Sequence, residues 1–302
     1  MAEKRPQKRP APRQTAPLFA EQGKRTAYDQ DSDMEYENTR RKNKGKKKKR
    51  SGADVLYTIA IVIFAIIFLV SGGLLAKRFL DDRQTEGEFA ALSDLIDETA
   101  ESSSGEESNA DKFARLVERN SEFIGWISIE DTNLDFPVMY SPTRADFYLR
   151  HDFEGEYSNY GVPYLDEDCT ITADGRSNNL IIYGHNMKTG TIFGCLTGYK
   201  ESSYYAEHPL IEFDTLYGDA TYEVFAAFAI DVVADTSFPY NTYIDMDETA
   251  FDEFVTQAKS RSDVDSGITP EYGDELLTLS TCEYSSSNGR YVVCARRVEN
   301  AS

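Results

Sequence analysis

A run of 22 residues without a charge, Val55 to Ala76, limits the fold of this chain more than any other feature of its sequence. An α-helix of that length spans roughly 33 Å, which is enough to cross a membrane core of about 30 Å. The segment 40–50 just before it is dense in lysine and arginine, and such segments stay on the cytoplasmic side. We therefore predict a single-pass membrane protein, with residues 1–54 as a basic, disordered cytoplasmic tail and residues 55–76 as the transmembrane helix.

A cleaved signal peptide is the alternative interpretation of this apolar run. The run is long for a signal peptide, and no clear small-x-small cleavage site follows it. In both interpretations everything after Ala76 is exported, so the folded domain is predicted to lie outside the cell.

The charge of the chain is divided sharply at the apolar run. Residues 1–50 hold 16 Lys/Arg and 7 Asp/Glu, a net charge of +9, and the whole chain carries −20, so residues 51–302 carry −29. The basic tail fits the anionic inner face of a membrane. The acidic remainder argues against nucleic acid as a partner.

All four cysteines follow the apolar run, at positions 169, 195, 282 and 294. An even number of cysteines outside the cell is compatible with a disulfide, but these spacings resemble no disulfide framework. The sequence contains neither CxxC nor HExxH, so the spacing of a zinc site is missing. We predict no metal ion and no other cofactor.

Hydrophobic periodicity divides the exported part into a stalk and a folded domain. Residues 77–110 are predicted to be an extracellular stalk and linker, because near-helical spacing of Phe89 and Leu92 gives way to the Ser- and Glu-rich stretch 101–109. Residues 111–302 are predicted to be the catalytic domain.

Short β-like runs with period-two alternation dominate the domain, with Gly, Asp and Asn between them, and they predict a closed antiparallel barrel or a sandwich. The runs are Leu134–Val138, Leu180–Tyr183, Tyr222–Ile230, Leu276–Cys282 and Tyr291–Val298. One helix interrupts them, because Phe251, Phe254, Val255 and Ala258 follow helical spacing.

A cysteine, a histidine and an arginine stand at the ends of such runs. Cys282 ends one run, and Arg290 follows it across a short polar loop, so a β-hairpin would place the two opposite each other. A thiolate near a cation can attack an amide carbonyl. His185, at the end of an earlier run, could protonate the leaving amine, and the permanent charge of Arg290 suits an oxyanion. The structural alternatives are a buried strand cysteine, a loop histidine and a solvated arginine.

These motifs resemble those of sortases, the cysteine transpeptidases that attach proteins to Gram-positive cell walls. The similar motifs are Thr278-Leu-Ser-Thr-Cys282, Gly289-Arg290 and Tyr183-Gly-His185, within a similarity that extends from about Phe113 to Val298. Leu-Ser-Thr before the cysteine resembles class B. The resemblance implies a mainly β fold, a closed eight-stranded sortase-type barrel with N-terminal helices and one helix inserted before the cysteine-bearing strand.

The resemblance also implies roles for individual residues. Cys282 would be the nucleophile, His185 the general acid and base, and Arg290 the group that binds substrate and stabilises the oxyanion. Substrate-binding positions would be Leu149, Tyr243, Ile244, Ser280, Thr281 and Glu283. Ordinary core packing explains Leu149, Tyr243 and Ile244 equally well. Ala145 stands where family members often carry asparagine.

The function implied is that of a membrane-anchored sortase. It would cleave secreted proteins after the threonine of a C-terminal sorting motif, through a thioester on Cys282, and transfer them to an amine of the peptidoglycan precursor. Asn-Pro-x-Thr-Asn and Pro-x-Thr-Gly are both compatible motifs. Alternatives are a pilin-polymerising sortase with a lysine acceptor, a wall peptidase with a Cys-His pair, and a non-catalytic anchored binding module.

Overall fold

The computed structural model of the chain describes residues 52–102 and 108–298. The predicted cytoplasmic tail lies outside the described residues, apart from its last three positions. Helix α1, Gly52–Ser102, contains the apolar run. Within it, Gly52–Lys77 is long and apolar enough to cross a membrane, with a mean hydropathy of 2.9 and none of the apolar stretch buried. This helix fits a single-pass membrane anchor.

The described residues that follow form a closed barrel of eight strands, as predicted. The strands in chain order are β1 Phe123–Ser128, β2 Asp135–Met139, β3 Tyr164–Leu165, β4 Ile171–Thr172, β5 Gly175–Arg176, β6 Asn179–Tyr183, β7 Leu210–Thr215, β8 Thr221–Asp231, β9 Leu276–Cys282 and β10 Gly289–Val298. The barrel order is β1-β2-β3-β6-β9-β10-β8-β7, and β4 pairs with β5 in a separate hairpin. Two neighbouring pairs, β2–β3 and β6–β9, are parallel, and the other pairs recorded in the barrel are antiparallel.

Short helices and 3₁₀ turns connect the strands. The helices are α2 Asn109–Lys112, α3 Ala114–Arg119, α4 Ser202–Glu207 and α5 Glu248–Arg261, and the 3₁₀ turns are Phe147–Leu149, Gly194–Lys200 and Tyr240–Thr242. The helix predicted before the cysteine-bearing strand is α5. It begins where the Asp247 side chain accepts a hydrogen bond from the Ala250 N–H at 2.9 Å.

Helix α5 explains why the last strands are largely buried on both faces. Its buried residues share a second hydrophobic cluster with Phe228 of β8, Leu276 of β9 and Val292 of β10, outside the main core of the barrel. All but the last residue of β9 is buried. A strand covered on both sides does not alternate between buried and exposed residues, and in β9 even the polar residues Thr278, Ser280 and Thr281 are buried.

The C-terminal part of α1 belongs to the folded domain, whereas a stalk was expected there. Phe89 and Leu92 lie in the main core cluster. The ring of Phe89 meets that of Phe136 on β2 edge to face, with 4.9 Å between centroids. The helical spacing of these apolar residues therefore reflects packing against the barrel.

Leu92→Ala should lower the free energy of unfolding by about 2–5 kcal/mol, because a leucine that is 2% exposed leaves a cavity when truncated. Leu80→Ala is the matched control, since Leu80 lies on the same helix and is 65% exposed. Its effect should stay within about 0.5 kcal/mol. The measurement is urea unfolding of the detergent-solubilised chain, followed by the fluorescence of its single tryptophan, Trp126. Equal effects of the two substitutions would contradict the packing of this segment.

Candidate active site

The β9–β10 hairpin places Cys282 and Arg290 directly opposite each other. The N–H of Glu283 donates to the carbonyl of Gly289 at 2.9 Å. Cys282 and Arg290 are therefore the adjacent pair without mutual hydrogen bonds, the kind in which facing side chains lie closest. The hairpin register predicted from the eight-residue spacing is confirmed.

The parallel pairing of β6 with β9 brings His185 to the same end of the barrel. On one side of the histidine, the carbonyl of Gly184 accepts a hydrogen bond from Thr281 Oγ1 at 2.7 Å. On the other side, Asn186 Nδ2 donates to the carbonyl of Cys282 at 2.8 Å. The loop that carries His185 is thus tied to the cysteine-bearing strand before and after the histidine.

A backbone carbonyl fixes the orientation of the imidazole. His185 Nε2 lies 2.8 Å from the carbonyl oxygen of Leu149, in the 3₁₀ turn Phe147–Leu149. A carbonyl only accepts hydrogen bonds, so Nε2 carries a proton and Nδ1 is the nitrogen left to exchange one. Burial lowers the pKa of His185 from its ordinary 6.5, and the charge of Arg150 lowers it further, while the bond to Leu149 opposes both effects.

The three candidate catalytic residues line one cavity of about 170 Å³. Three of the predicted substrate-binding residues, Leu149, Ser280 and Thr281, line it as well. The cavity therefore brings together residues from the 146–149 turn, the end of β6 and the β9–β10 hairpin.

Asp146, Tyr164 and Tyr183 also line the cavity, and sequence analysis did not identify them as site residues. Tyr164 donates its hydroxyl to Asp146 Oδ1 at 2.7 Å, and Tyr183 donates to Asp166 Oδ2 at 2.7 Å. Burial and these hydrogen bonds raise the pKa of both tyrosines, which keeps them protonated. Asp146 adopts a left-handed conformation, φ 53°, which aspartate tolerates better than most residues. No spacing rule in the sequence identifies these contacts.

Tyr243 and Ile244 lie elsewhere. Asn179, at the start of β6, donates its side-chain N–H to the carbonyl of Tyr243 at 2.7 Å and its backbone N–H to that of Ile244 at 3.1 Å. His185 follows the opposite end of β6. The Tyr243 ring packs against Phe238. Substrate binding by these two residues stays a prediction.

Glu283 is bound within the protein. Its Oε1 lies 2.8 Å from Lys200 Nζ, and its Oε2 accepts the N–H of Ser285 at 2.9 Å and the hydroxyl of the same serine. The hydrogen bonds from Lys200 and Ser285 lower the pKa of Glu283 to about 2. The carboxylate is therefore ionised and its oxygens are occupied.

The other three cysteines are unsuited to act as nucleophiles. The four cysteines, all within residues 108–298, are free thiols. Burial raises the pKa of Cys169 to about 12, of Cys195 to about 11 and of Cys294 to about 12. The thiolate is the reactive form of cysteine, so these three are unreactive near neutral pH.

A barrel that collects a thiol, an imidazole and a guanidinium in one cavity has the components of a cysteine-dependent acyl-transfer enzyme. A family model described as a sortase domain matches residues 127–298, and the chain belongs to the sortase family. It is 29% identical over 244 residues to sortase B of Staphylococcus aureus, covering 80% of this chain and 96% of that protein. It is 26% identical over 237 residues to sortase B of Listeria monocytogenes, covering 77% and 92%.

Solved structures agree with this family assignment. A Staphylococcus aureus sortase B–substrate complex superposes with a TM-score of 0.65 at 28% identity, over 74% of this chain and all of that one. Sortase B of B. anthracis in complex with AAEK1 gives 0.63 at 27%, over 74% and 100%. The chain is a class B sortase, and the enzyme class is that of cysteine transpeptidases.

The proton of His185 should titrate on Nδ1, with a midpoint below 6.5. Nitrogen NMR of the chain labelled in its histidine rings would follow both nitrogens, and Nε2 should keep the shift of a protonated nitrogen throughout. Arg150→Ala should raise the midpoint, because the nearby positive charge disfavours imidazolium. Arg261→Ala, on α5, is the control and should leave it unchanged. Titration on Nε2, or a midpoint above 6.5, would contradict the hydrogen bond to Leu149 and the burial of the ring.

Proposed function

We propose that this chain is a membrane-anchored class B sortase that cleaves secreted proteins after the threonine of a C-terminal sorting motif and transfers them to an amine of the peptidoglycan precursor. The observation that carries the proposal is the convergence of Cys282, His185 and Arg290 on one cavity. A solved sortase B in complex with triglycine, 28% identical with a TM-score of 0.64 over 73% of this chain and 100% of that one, supports a glycine amine as one acceptor to test.

In the first half of the reaction, Cys282 Sγ attacks the carbonyl carbon of the threonine as a thiolate, and a C–S bond forms. The carbonyl oxygen takes the negative charge and accepts hydrogen bonds from the guanidinium of Arg290. His185 donates the proton on Nδ1 to the departing amine nitrogen as the C–N bond breaks. The acyl group is then held as a thioester on Cys282.

In the second half, the acceptor amine attacks the thioester carbonyl, and His185 Nδ1 takes the proton that the amine loses. A new amide bond forms, the C–S bond breaks, and Cys282 leaves as a thiolate. The proton removed equals the proton donated earlier, so the cycle returns His185 to its starting state. One nitrogen, held in place through Leu149, performs both transfers.

The apolar part of α1 anchors this chemistry to the membrane in our proposal. The lysine- and arginine-rich segment 40–50 supports an orientation with the N-terminus in the cytoplasm and residues 77–302 outside. An exported barrel can reach both partners that the reaction needs, secreted proteins with a sorting signal and the wall precursor.

Cys282→Ala should abolish cleavage of fluorogenic peptides that carry Asn-Pro-x-Thr-Asn or Pro-x-Thr-Gly, because alanine removes only the nucleophile. Mass spectrometry of the unmodified chain with these peptides should show an acyl adduct on Cys282, released by triglycine or by a lysine amine. Cys195→Ala is the control, since that thiol is unreactive, and it should keep most of the activity. More than a few per cent of activity in Cys282→Ala would refute the assignment.

Arg290→Lys should retain only a small fraction of kcat/KM, because lysine keeps the charge and loses the planar fork of donors. Loss of one oxyanion donor costs about 10²–10³ in rate, and Arg290→Ala should lose at least as much. Steady-state kinetics on the same peptides gives these values, and iodoacetamide labelling of Cys282 should persist in both variants. Wild-type kinetics in Arg290→Lys would show that the arginine contributes only its positive charge. Wild-type kinetics in Arg290→Ala would show that it has no role in the reaction.

A further inference from the structure

Glu283 directly follows the candidate nucleophile, yet the recorded partners of its carboxylate, Lys200 and Ser285, are not among the residues that line the cavity. The residue is 9% exposed. Lys200 Nζ binds one carboxylate oxygen at 2.8 Å, and Ser285 binds the other through its N–H and hydroxyl. Neither Lys200 nor Glu283 is one of the described residues that line the cavity. Glu283 is buried although Lys200 is partly exposed, so loss of the lysine would leave the buried carboxylate with Ser285 as its remaining recorded side-chain partner.

The backbone of Glu283 continues the contact to Arg290. The Glu283 N–H donates to the carbonyl oxygen of Gly289 at 2.9 Å, and the same oxygen accepts a hydrogen bond from Arg290 Nη1 at 3.0 Å. Residue 289 must be glycine for this approach, because a Cβ there would lie 2.3 Å from the carbonyl oxygen of Glu283. The guanidinium of Arg290 therefore donates to the same Gly289 carbonyl oxygen that the backbone N–H of Glu283 binds.

Lys200 joins this hairpin to the segment that follows His185. It ends the 3₁₀ turn Gly194–Lys200, and the residue before that turn, Phe193, donates its N–H to the carbonyl of His185 at 3.0 Å. Lys200 Nζ also lies 5.4 Å from the centroid of the Tyr291 ring, next to Arg290 on β10. The ammonium group thus touches the hairpin at the residue after the nucleophile and at the residue after the arginine.

We infer that Lys200 and Glu283 form a positioning pair that sets the guanidinium of Arg290 against Cys282, an inference that rests on the proposed catalytic role of Arg290. Glu283 then acts through Gly289 and does not bind substrate with its carboxylate. The pair supports the oxyanion site, so its loss should lower the rate of the chemical step more than the affinity for substrate.

Lys200→Met tests the inference, because it removes the charge and keeps most of the apolar stem. A misplacement of about 1 Å in a catalytic group can cost about 10²-fold in rate. We expect kcat for peptide cleavage to fall by about 10- to 100-fold with KM within about twofold, and we expect Lys200→Arg to keep most of the activity. Glu283→Gln has nearly the same size and removes the charge of the other member of the pair, so it should lower kcat by a similar factor.

Lys112→Met is the matched control. Lys112 makes an ion pair of the same length, 2.8 Å, with Asp214. Its side chain is 30% exposed, compared with 41% for Lys200. It should cleave peptide at the wild-type rate. All variants are measured as the detergent-solubilised full chain, with the thermal midpoint recorded for each, so that a general loss of folding is seen separately.

A double-mutant cycle shows whether the pair acts through Arg290. In the Arg290→Lys background, Lys200→Met should cost little more, because the guanidinium it would misplace is already gone. The same fold-loss in both backgrounds, or wild-type kcat in Lys200→Met, would overturn the inference. If Arg290→Lys loses activity while Lys200→Met and Glu283→Gln do not, the positioning pair fails and the proposed mechanism stands. Wild-type kinetics in Arg290→Lys would instead remove the oxyanion role on which both depend.

Discussion

The parallel pairing of β6 with β9 is the constraint on which the candidate site depends. His185 and Cys282 stand 97 positions apart in the chain, and the register of Tyr183 with Ser280 brings their strand ends together. A parallel pair needs a long crossover connection. The chain between the two strands supplies β7, β8 and α5, which close the barrel and cover its outer face. The pieces that separate the two residues in sequence therefore build the scaffold that joins them in space.

Three kinds of contact then hold the site, and each is local to one group. A backbone carbonyl orients the imidazole of His185, strand register places Cys282 opposite Arg290, and the carbonyl of Gly289 receives the guanidinium. Backbone groups move less than long side chains, so they suit a site whose geometry must be held within a fraction of an ångström.

The sequence predicted the parts of this arrangement that depend on short-range pattern. The spacing from Cys282 to Arg290 gave the hairpin register, and apolar spacing gave α5. Near-helical spacing at Phe89 and Leu92 did not reveal what those residues pack against, because periodicity identifies a buried face and not its partner. The sequence did not identify Tyr164 and Tyr183 as cavity residues for a similar reason. Their hydroxyls hydrogen-bond to Asp146 and Asp166 only in the closed barrel. Most of the fold and the meeting of Cys282, His185 and Arg290 in one cavity could be predicted, whereas the surrounding contacts could not.

The burial of Glu283 beside Cys282 bears on how an acidic domain could carry out chemistry that develops negative charge. Residues 51–302 carry a net charge of −29, and a free carboxylate next to Cys282 would oppose any negative charge that develops there during a reaction. Lys200 and Ser285 occupy both oxygens of Glu283, so its charge is compensated locally instead of facing the cavity. The guanidinium of Arg290 then provides a permanent positive charge within the lining. The ion pair with Lys200 thus compensates the carboxylate that adjoins Cys282 in the sequence, while Arg290 faces Cys282 from the neighbouring strand.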